Sequence, residues 1–403
     1  MRLLLSASVQ HRSCAEIVFE VARRLNVNSS PKLYLLVVAI ALLGVLACPA
    51  SAQIFTSSQT ITVGSGPRGI AIDDLDGDGY PDIVVANSGG SSVSVLINKG
   101  HHNGNFFPKV DYPLGTNQGP TSVAIANISS ATKKDIVVCD YLAGKIALLK
   151  GNGNGTFQPA QLFSVGPGTT SPQSLTVADL DNNGSAYVIV TVLANNTVRL
   201  FRWNGTALVT TASASYPVGR LPWAVTTANL NHDHIPDIIT ANTYGGNVSV
   251  LLSTGPHTYA PAVNYTMVGG GPDSVDTGDL DGDGNPDIIA PDAFSSNLVV
   301  FNGNGDGTFD AAVRTPDAGS GISVVAAKLQ GLSVPDVIIA DFYNNQIDVR
   351  LNNGGGTLTP DSGSPYATGS GPAFVAIGNL KKNGEKDVVV SNLNSNTITI
   401  WYQ

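Results

Sequence analysis

The chain has 403 residues, enough for several ordinary domains or one large β architecture, and length alone does not separate the two. Gly at 44, Pro at 23 and only 13% charged residues argue against helices built from Ala, Glu, Lys and Leu, and predict short strands joined by many turns. The formal net charge of −9 argues against a nucleic-acid or anionic-membrane surface and is compatible with bound cations.

At the N-terminus, residues 1–31 are a leader extension to which no fold is assigned. From Lys32 to Gln53 the chain reads KLYLLVVAIALLGVLACPASAQ: a basic residue, an apolar run, a Pro and then Ala50-Ser51-Ala52. That order predicts a signal peptide over 32–52, cleaved before Gln53, with a run that is short for a spanning helix. An uncleaved membrane anchor is the competing reading. A lipoprotein reading through Cys48 is weaker, since Leu46 stands where a small residue is usual and Pro49 is an awkward follower. The expected location is therefore extracellular or periplasmic, with no membrane span after cleavage. Removing the leader leaves 16 basic and 28 acidic side chains, a net of −12. Cys139 is then the one remaining cysteine, in the apolar run DIVVCDY, where it reads as a small buried hydrophobe.

Residues 53–403 are organised by one element. DLDGDGYPD at 74–82 recurs as DLDGDGNPD at 279–287, with degraded relatives such as DLDNNGSAY at 179 and NLNHDHIPD at 229. Aligned on it, units start at Asp74, Asn127, Asp179, Asn229, Asp279, Lys328 and Asn379, spaced 53, 52, 50, 50, 49 and 51 residues apart. So regular a period is the mark of a repeat architecture.

Within a unit, a Gly-Pro-type turn such as Gly66-Pro67 or Gly271-Pro272 leads into a small-residue strand such as SVAIAN, and the Asp-rich loop follows. Next come an apolar run such as DIVVAN, a turn of Asn and Gly, an alternating strand such as SVSVLIN, a Gly-Asn-Gly-Thr-Phe turn and a last strand. Four strands per unit, repeated seven times, predict an all-β fold: a seven-bladed β-propeller of four-stranded antiparallel blades, whose radial repetition protects most sheet edges. A linear solenoid is the second choice, but its ends should carry polar caps. Here the last unit stops at ITIWYQ after its third strand, while residues 53–67, QIFTSSQTITVGSGP, resemble the fourth strand of other units. A strand around Ile54 to Val63 is therefore expected to complete the last blade and close the ring.

In DLDGDGYPD the carboxylates of Asp74, Asp76, Asp78 and Asp82 stand at positions 1, 3, 5 and 9, Gly79 permits the sharp turn, and the Tyr80 carbonyl can point inward. Hard oxygens at this spacing suit Ca2+ better than Mg2+, which tolerates a floppy geometry less well. An EF-hand loop begins alike but needs Glu at position 12, where Val85 and Ala290 stand, so that family is rejected. Without a cation, carboxylates packed so closely repel one another. Asp179, Asp181 and Asn183 keep three ligands with Tyr187 in the last place, and Asn229, Asn231, Asp233 and Asp237 keep four with His234 in place of Gly; both loops are weaker candidates. The other units carry Ser129 and Ala131, Lys328 and Gln330, or Lys381 at matching positions and are expected to bind nothing, a Lys ammonium being able to replace a cation.

The units resemble the FG-GAP or VCBS-type repeats of integrin α-chain N-terminal propellers and their bacterial secreted relatives, over about residues 53–403. Literal Phe-Gly and Gly-Ala-Pro signatures are missing and only Gly-Pro turns survive, which favours the bacterial branch. The resemblance implies Ca2+ ligands at Asp74, Asp76, Asp78, the Tyr80 carbonyl and Asp82, and likewise at Asp279, Asp281, Asp283, the Asn285 carbonyl and Asp287. It also implies that these loops lie on the lower face and that partners bind the upper one.

An upper-face site would use Tyr141, Tyr244, Phe294, Phe342 and Tyr343 from the turns after the second strands, with Arg68, Trp223 and Asp273 directly following prolines. Such aromatics stack on sugar rings or anchor proteins, or else cover blade junctions. The leading expectation is a monomeric, calcium-binding, non-catalytic binding or adhesion module for an extracellular protein or glycan. A lectin is the second reading, although no single aromatic recurs across the blades. A lyase-like polysaccharide enzyme is the third, disfavoured by five His after the leader and by the lack of a nucleophile elbow or zinc motif.

Overall fold

The computed structural model describes residues 53–167, 171–267, 269–316 and 319–403. The leader extension over 1–31, the signal peptide expected over 32–52 and Cys48 lie outside these residues. No helix among the described residues is long and apolar enough to cross a membrane.

Seven antiparallel sheets follow one another along the chain and form the blades of a β-propeller. Blade 1 sets the pattern with strands Pro67–Asp73, Asp82–Asn87, Ser92–Leu96 and Val110–Pro113, hydrogen-bonded in that order. The second strand of every blade, from DIVVAN in blade 1 to DVVVSN in blade 7, is buried at all six positions. A sheet packed on both faces needs an apolar run there rather than alternation. Cys139 sits in such a run, fully buried, and burial drives its thiol well above the ordinary range.

The hydrophobic core is divided among the blade junctions. Blades 1 and 2 share one cluster around Val84, Val95, Ile136 and Leu149, and six further clusters serve the remaining neighbours. One of them joins Ile70, Ile83 and Val85 of blade 1 to Val389, Ile398 and Ile400 of blade 7, so the ring is closed. Closure is completed as expected from the chain ends: Ser57–Thr62 runs antiparallel to Thr397–Tyr402, with Ser57 opposite Tyr402 and Thr62 opposite Thr397. Just before that strand, Phe55 is fully buried between blades 6 and 7 and meets the Tyr366 ring edge-on at 5.1 Å.

Side chains stitch the inner strands to one another. Thr121 Oγ1 donates to the Gln173 carbonyl at 2.6 Å, and Ser122 Oγ, Ser274 Oγ and Ser323 Oγ accept from Leu175, Val324 and Val375, each at 3.2 Å.

A second staple acts within each blade. At position 9 of the repeat six blades carry a buried aspartate: Asp82, Asp135, Asp237, Asp287, Asp336 and Asp387. One oxygen accepts an N–H from the loop after the first strand and the other an N–H just beyond the third, as from Leu75 and Asn98 to Asp82 at 2.8 and 2.7 Å. Asp336 does the same for Leu329, Gln330 and Asn352 at 3.0, 3.1 and 2.8 Å, in a loop with no acidic companions. The aspartate therefore closes the hairpin whether or not the loop could take a cation. Replacing Asp336 by Ala strands buried N–H groups and is expected to cost about 2–4 kcal/mol. Urea unfolding checks this, and the loss should be equal with and without calcium.

Candidate functional site

On one face, both complete loops fold identically around their first aspartate. Asp74 accepts the N–H of Gly77 at 2.7 Å and of Gly79 at 2.8 Å, while Asp76 and Asp78 accept those of Asp78 and Tyr80 at 3.2 and 2.8 Å. Blade 5 repeats the pattern on Asp279, Asp281 and Asp283 at 2.7, 3.0, 3.2 and 2.8 Å. This wrap needs positive φ at positions 4 and 6, with values of 85° and 82° at Gly77 and Gly79, which glycine adopts without steric cost.

Ligand atoms of Asp74, Asp76 and Asp78 lie within 4.8 Å of one another, and so do those of Asp279, Asp281 and Asp287. Both clusters could hold a metal ion, and among the described residues no other trio of acidic, His or Cys side chains converges in this way. The donor set fits a hard cation in being all oxygen, with backbone N–H groups of the loop itself holding both oxygens of Asp74 and of Asp279. Burial, then neighbouring carboxylates, push Asp82 up to about 7 and Asp287 to about 6, against the pull of the N–H groups they accept.

The degraded loops keep the turn but lose the cluster. Asn182 and Gly184 in blade 3, and His232 and His234 in blade 4, take the same positive-φ positions. In blade 3, Asp181 is engaged by Tyr187 Oη at 2.6 Å and by His257 Nδ1 at 2.9 Å. His257 belongs to blade 4, where Gly-Pro-His-Thr-Tyr replaces the Gly-Asn-Gly-Thr-Phe turn. Its N–H reaches the Leu180 carbonyl just as that of Gly155 reaches Leu75, so an imidazole stands where blade 1 has only a glycine against its loop. Blade 4 ties Asn231 Nδ2 to Asp233 at 3.0 Å and sends His232 to Asn285 of blade 5 at 2.9 Å. The Lys381 ammonium donates to the Gln403 carbonyl at 2.7 Å, and its charge opposes the upward push of burial on Asp387 in the same loop.

At the opposite end, the inner strands of all seven blades enclose an axial mouth of about 260 Å³. The residue after the turn proline, or after Ser320 in the exception, lines or borders it in each blade: Arg68, Thr121, Gln173, Trp223, Asp273, Ala373 and, one residue on, Ile322. Of the residues singled out from the sequence, the mouth gathers Arg68, Trp223, Asp273, Phe342 and Tyr343. Tyr141, Tyr244 and Phe294 are not among its walls; they stand on surrounding turns, the last two 67% exposed. Part of the junction-covering role is also real, because Phe342 of blade 6 lies 3.1 Å from where a Cβ on Gly371, in the turn into blade 7, would stand. Gln173, Ile322, Phe374 and Leu393 also line the mouth and were missed. The signal was present for the first two, in their position after the turn.

Arg68 and Asp273 are the two charged groups of the mouth. Burial pulls the Arg68 guanidinium below its usual value, while the opposing Asp273 charge resists. Burial likewise raises Asp273, resisted by its hydrogen bond from Thr243 Oγ1 at 2.9 Å and by Arg68.

An FG-GAP-like repeat model matches residues 74–129, 132–190 and 229–290, which include both complete loops. No curated protein matches the chain. Among solved structures, virginiamycin B lyase from Staphylococcus aureus superposes with a TM-score of 0.61 at 12% identity, over 86% of this chain and 99% of that one. BBS1N, solved in complex with ARL6DN, also gives 0.61 at 13% identity, over 87% and 96%. A lectin from Agrocybe aegerita that recognises non-reducing terminal N-acetylglucosamine gives 0.53 at 20% identity, over 84% and 86%. At these identities the likeness is one of fold.

Proposed function

The chain is an FG-GAP-repeat β-propeller protein, and we propose that it is an exported, calcium-stabilised, non-catalytic binding module for an extracellular protein or glycan. The observation that carries this reading is the mouth, where one face collects an Arg, an Asp, a Trp and the Phe342–Tyr343 pair from four blades. Large apolar side chains crowd the same face, with Tyr244, Phe294 and Tyr343 on its turns at 67, 67 and 74% exposure. Solvated aromatics around a walled pocket are the composition of recognition surfaces. The acidic loops lie at the other end, so a cation there would brace the hairpins and leave the recognition face free. Export follows from the Lys32–Gln53 leader.

The test is binding of the leader-free protein to arrays of glycans and of extracellular proteins, run beside Trp223→Ala and Tyr343→Ala. Each substitution is expected to weaken the captured ligand by about 30-fold, as for an aromatic anchor. Binding that survives both changes but is lost on altering the acidic loops would place recognition on the wrong face.

A further inference from the structure

We infer that the axial mouth is a site for a small zwitterion of the α-amino-acid class, with its carboxylate on Arg68, its ammonium on Asp273 and its side chain against Trp223 and Phe342. The inference rests on reading this face as the recognition face and assigns its central pocket a small-molecule chemistry of its own. Its starting point is that the polar groups of the wall are unequally occupied. The hydroxyls of Thr121, Ser122, Ser274 and Ser323 are committed to neighbouring blades. Among the described residues Arg68, by contrast, donates no hydrogen bond and forms no ion pair, although burial penalises its charge. Asp273 has one oxygen on Thr243 Oγ1, and no hydrogen bond reaches the other. Each charge is the other's counterpart in the mouth, too far for contact yet close enough to be felt.

A half-buried charge without a partner has lost part of its hydration, and a ligand that supplies the partner recovers that cost. A lone anion would satisfy Arg68 but leave it competing with Asp273, in a protein whose net charge after the leader is −12. A lone cation would meet the converse problem at Arg68. A molecule bearing both charges satisfies both groups and leaves the mouth neutral. Size agrees: 260 Å³ holds about nine waters, one amino acid rather than a chain of them. Trp223, Phe342 and Ile322 then face the remaining wall, which favours an apolar side chain over a polar one.

The experiment is calorimetric titration of the leader-free, calcium-loaded protein with L-leucine and L-phenylalanine. Controls are N-acetyl-L-phenylalanine, which keeps only the carboxylate, and L-phenylalanine amide, which keeps only the ammonium. Both capped forms are expected to bind at least ~30-fold more weakly than the free amino acid, as are the free amino acids to Arg68→Met and Asp273→Asn, because each change leaves one charge of the complex unmet in the half-buried mouth. The capped ligands test the inference on the unaltered protein, whether or not a variant folds. It is overturned if no free amino acid binds at ~10 mM, or if capping either end is without effect. If the titrations are blank while an array ligand is still lost in Trp223→Ala, the zwitterion fails and the recognition face stands. A blank titration together with Trp223-independent array binding removes both.

Discussion

Deleting residues 53–64 from the leader-free protein is expected to yield an aggregating species with a greatly lowered melting temperature. The deletion removes the outer strand of blade 7 and leaves Thr397–Tyr402 with one edge unpaired. That edge reads TITIWY, β-branched and aromatic with no charge and no Pro, which is the composition that pairs with other chains. Two buried side chains go with it, Phe55 from the blade 6–7 core and Val63 from the blade 7–1 core. Phe55→Ala alone is expected to cost about 3–5 kcal/mol, because the ring fills a fully buried site against Tyr366 and Trp401. Size-exclusion chromatography and thermal melting report both effects. A truncated chain as monomeric and as stable as its parent would show that the two ends do not hold the ring.

This closure was readable from the sequence because it is a matter of counting: six complete units, one lacking its last strand, and a strand left over at the other end. The all-β class and the seven blades follow from the same 50-residue period, while the face on which Asp74 and Asp279 sit was implied by the family resemblance alone. Other features were hidden for definable reasons. Asp82 reads like one more ligand of its loop, and nothing in the motif says that both its oxygens are already taken by backbone N–H groups; Asp135 and Asp336, in loops without acidic partners, reveal the structural task. His257 looks like an odd residue in a turn, since its partner Asp181 belongs to the previous blade and no local pattern connects them. Arg68 and Asp273 were noticed singly, but lie about two hundred residues apart in the chain. Their meeting in one mouth depends on how seven blades divide a circle, a property of the closed ring and of no single repeat.

Stripping divalent cations from the protein is expected to lower its melting temperature, and the size of the drop should depend on pH. A cation that binds only the folded loops stabilises by mass action, about 4 kcal/mol per site at a thousand times its dissociation constant, and two loops offer acidic clusters for it. Without the cation, Asp82 is held up at about 7 and Asp287 at about 6, burial being the main cause in each. A carboxyl whose folded value exceeds its unfolded value of about 4 takes up its proton more readily in the folded state. Its stabilising contribution is therefore complete below about pH 4 and is lost as the pH rises through 6 to 7. Chelated protein should thus lose more stability between about pH 5 and pH 8 than calcium-loaded protein, whose cation takes the place of those protons. Asp76→Ala and Asp281→Ala should each remove part of the calcium-dependent shift, and the double variant all of it, since each takes away an oxygen from one cluster while leaving the Asp82 and Asp287 staples in place. Melting curves with calcium or chelator at the two pH values decide the matter. A drop that is absent, equal at both values, or untouched in the double variant would mean that DLDGDGYPD is only a turn, and that the ring draws its stability from its seven cores and its closing strand alone.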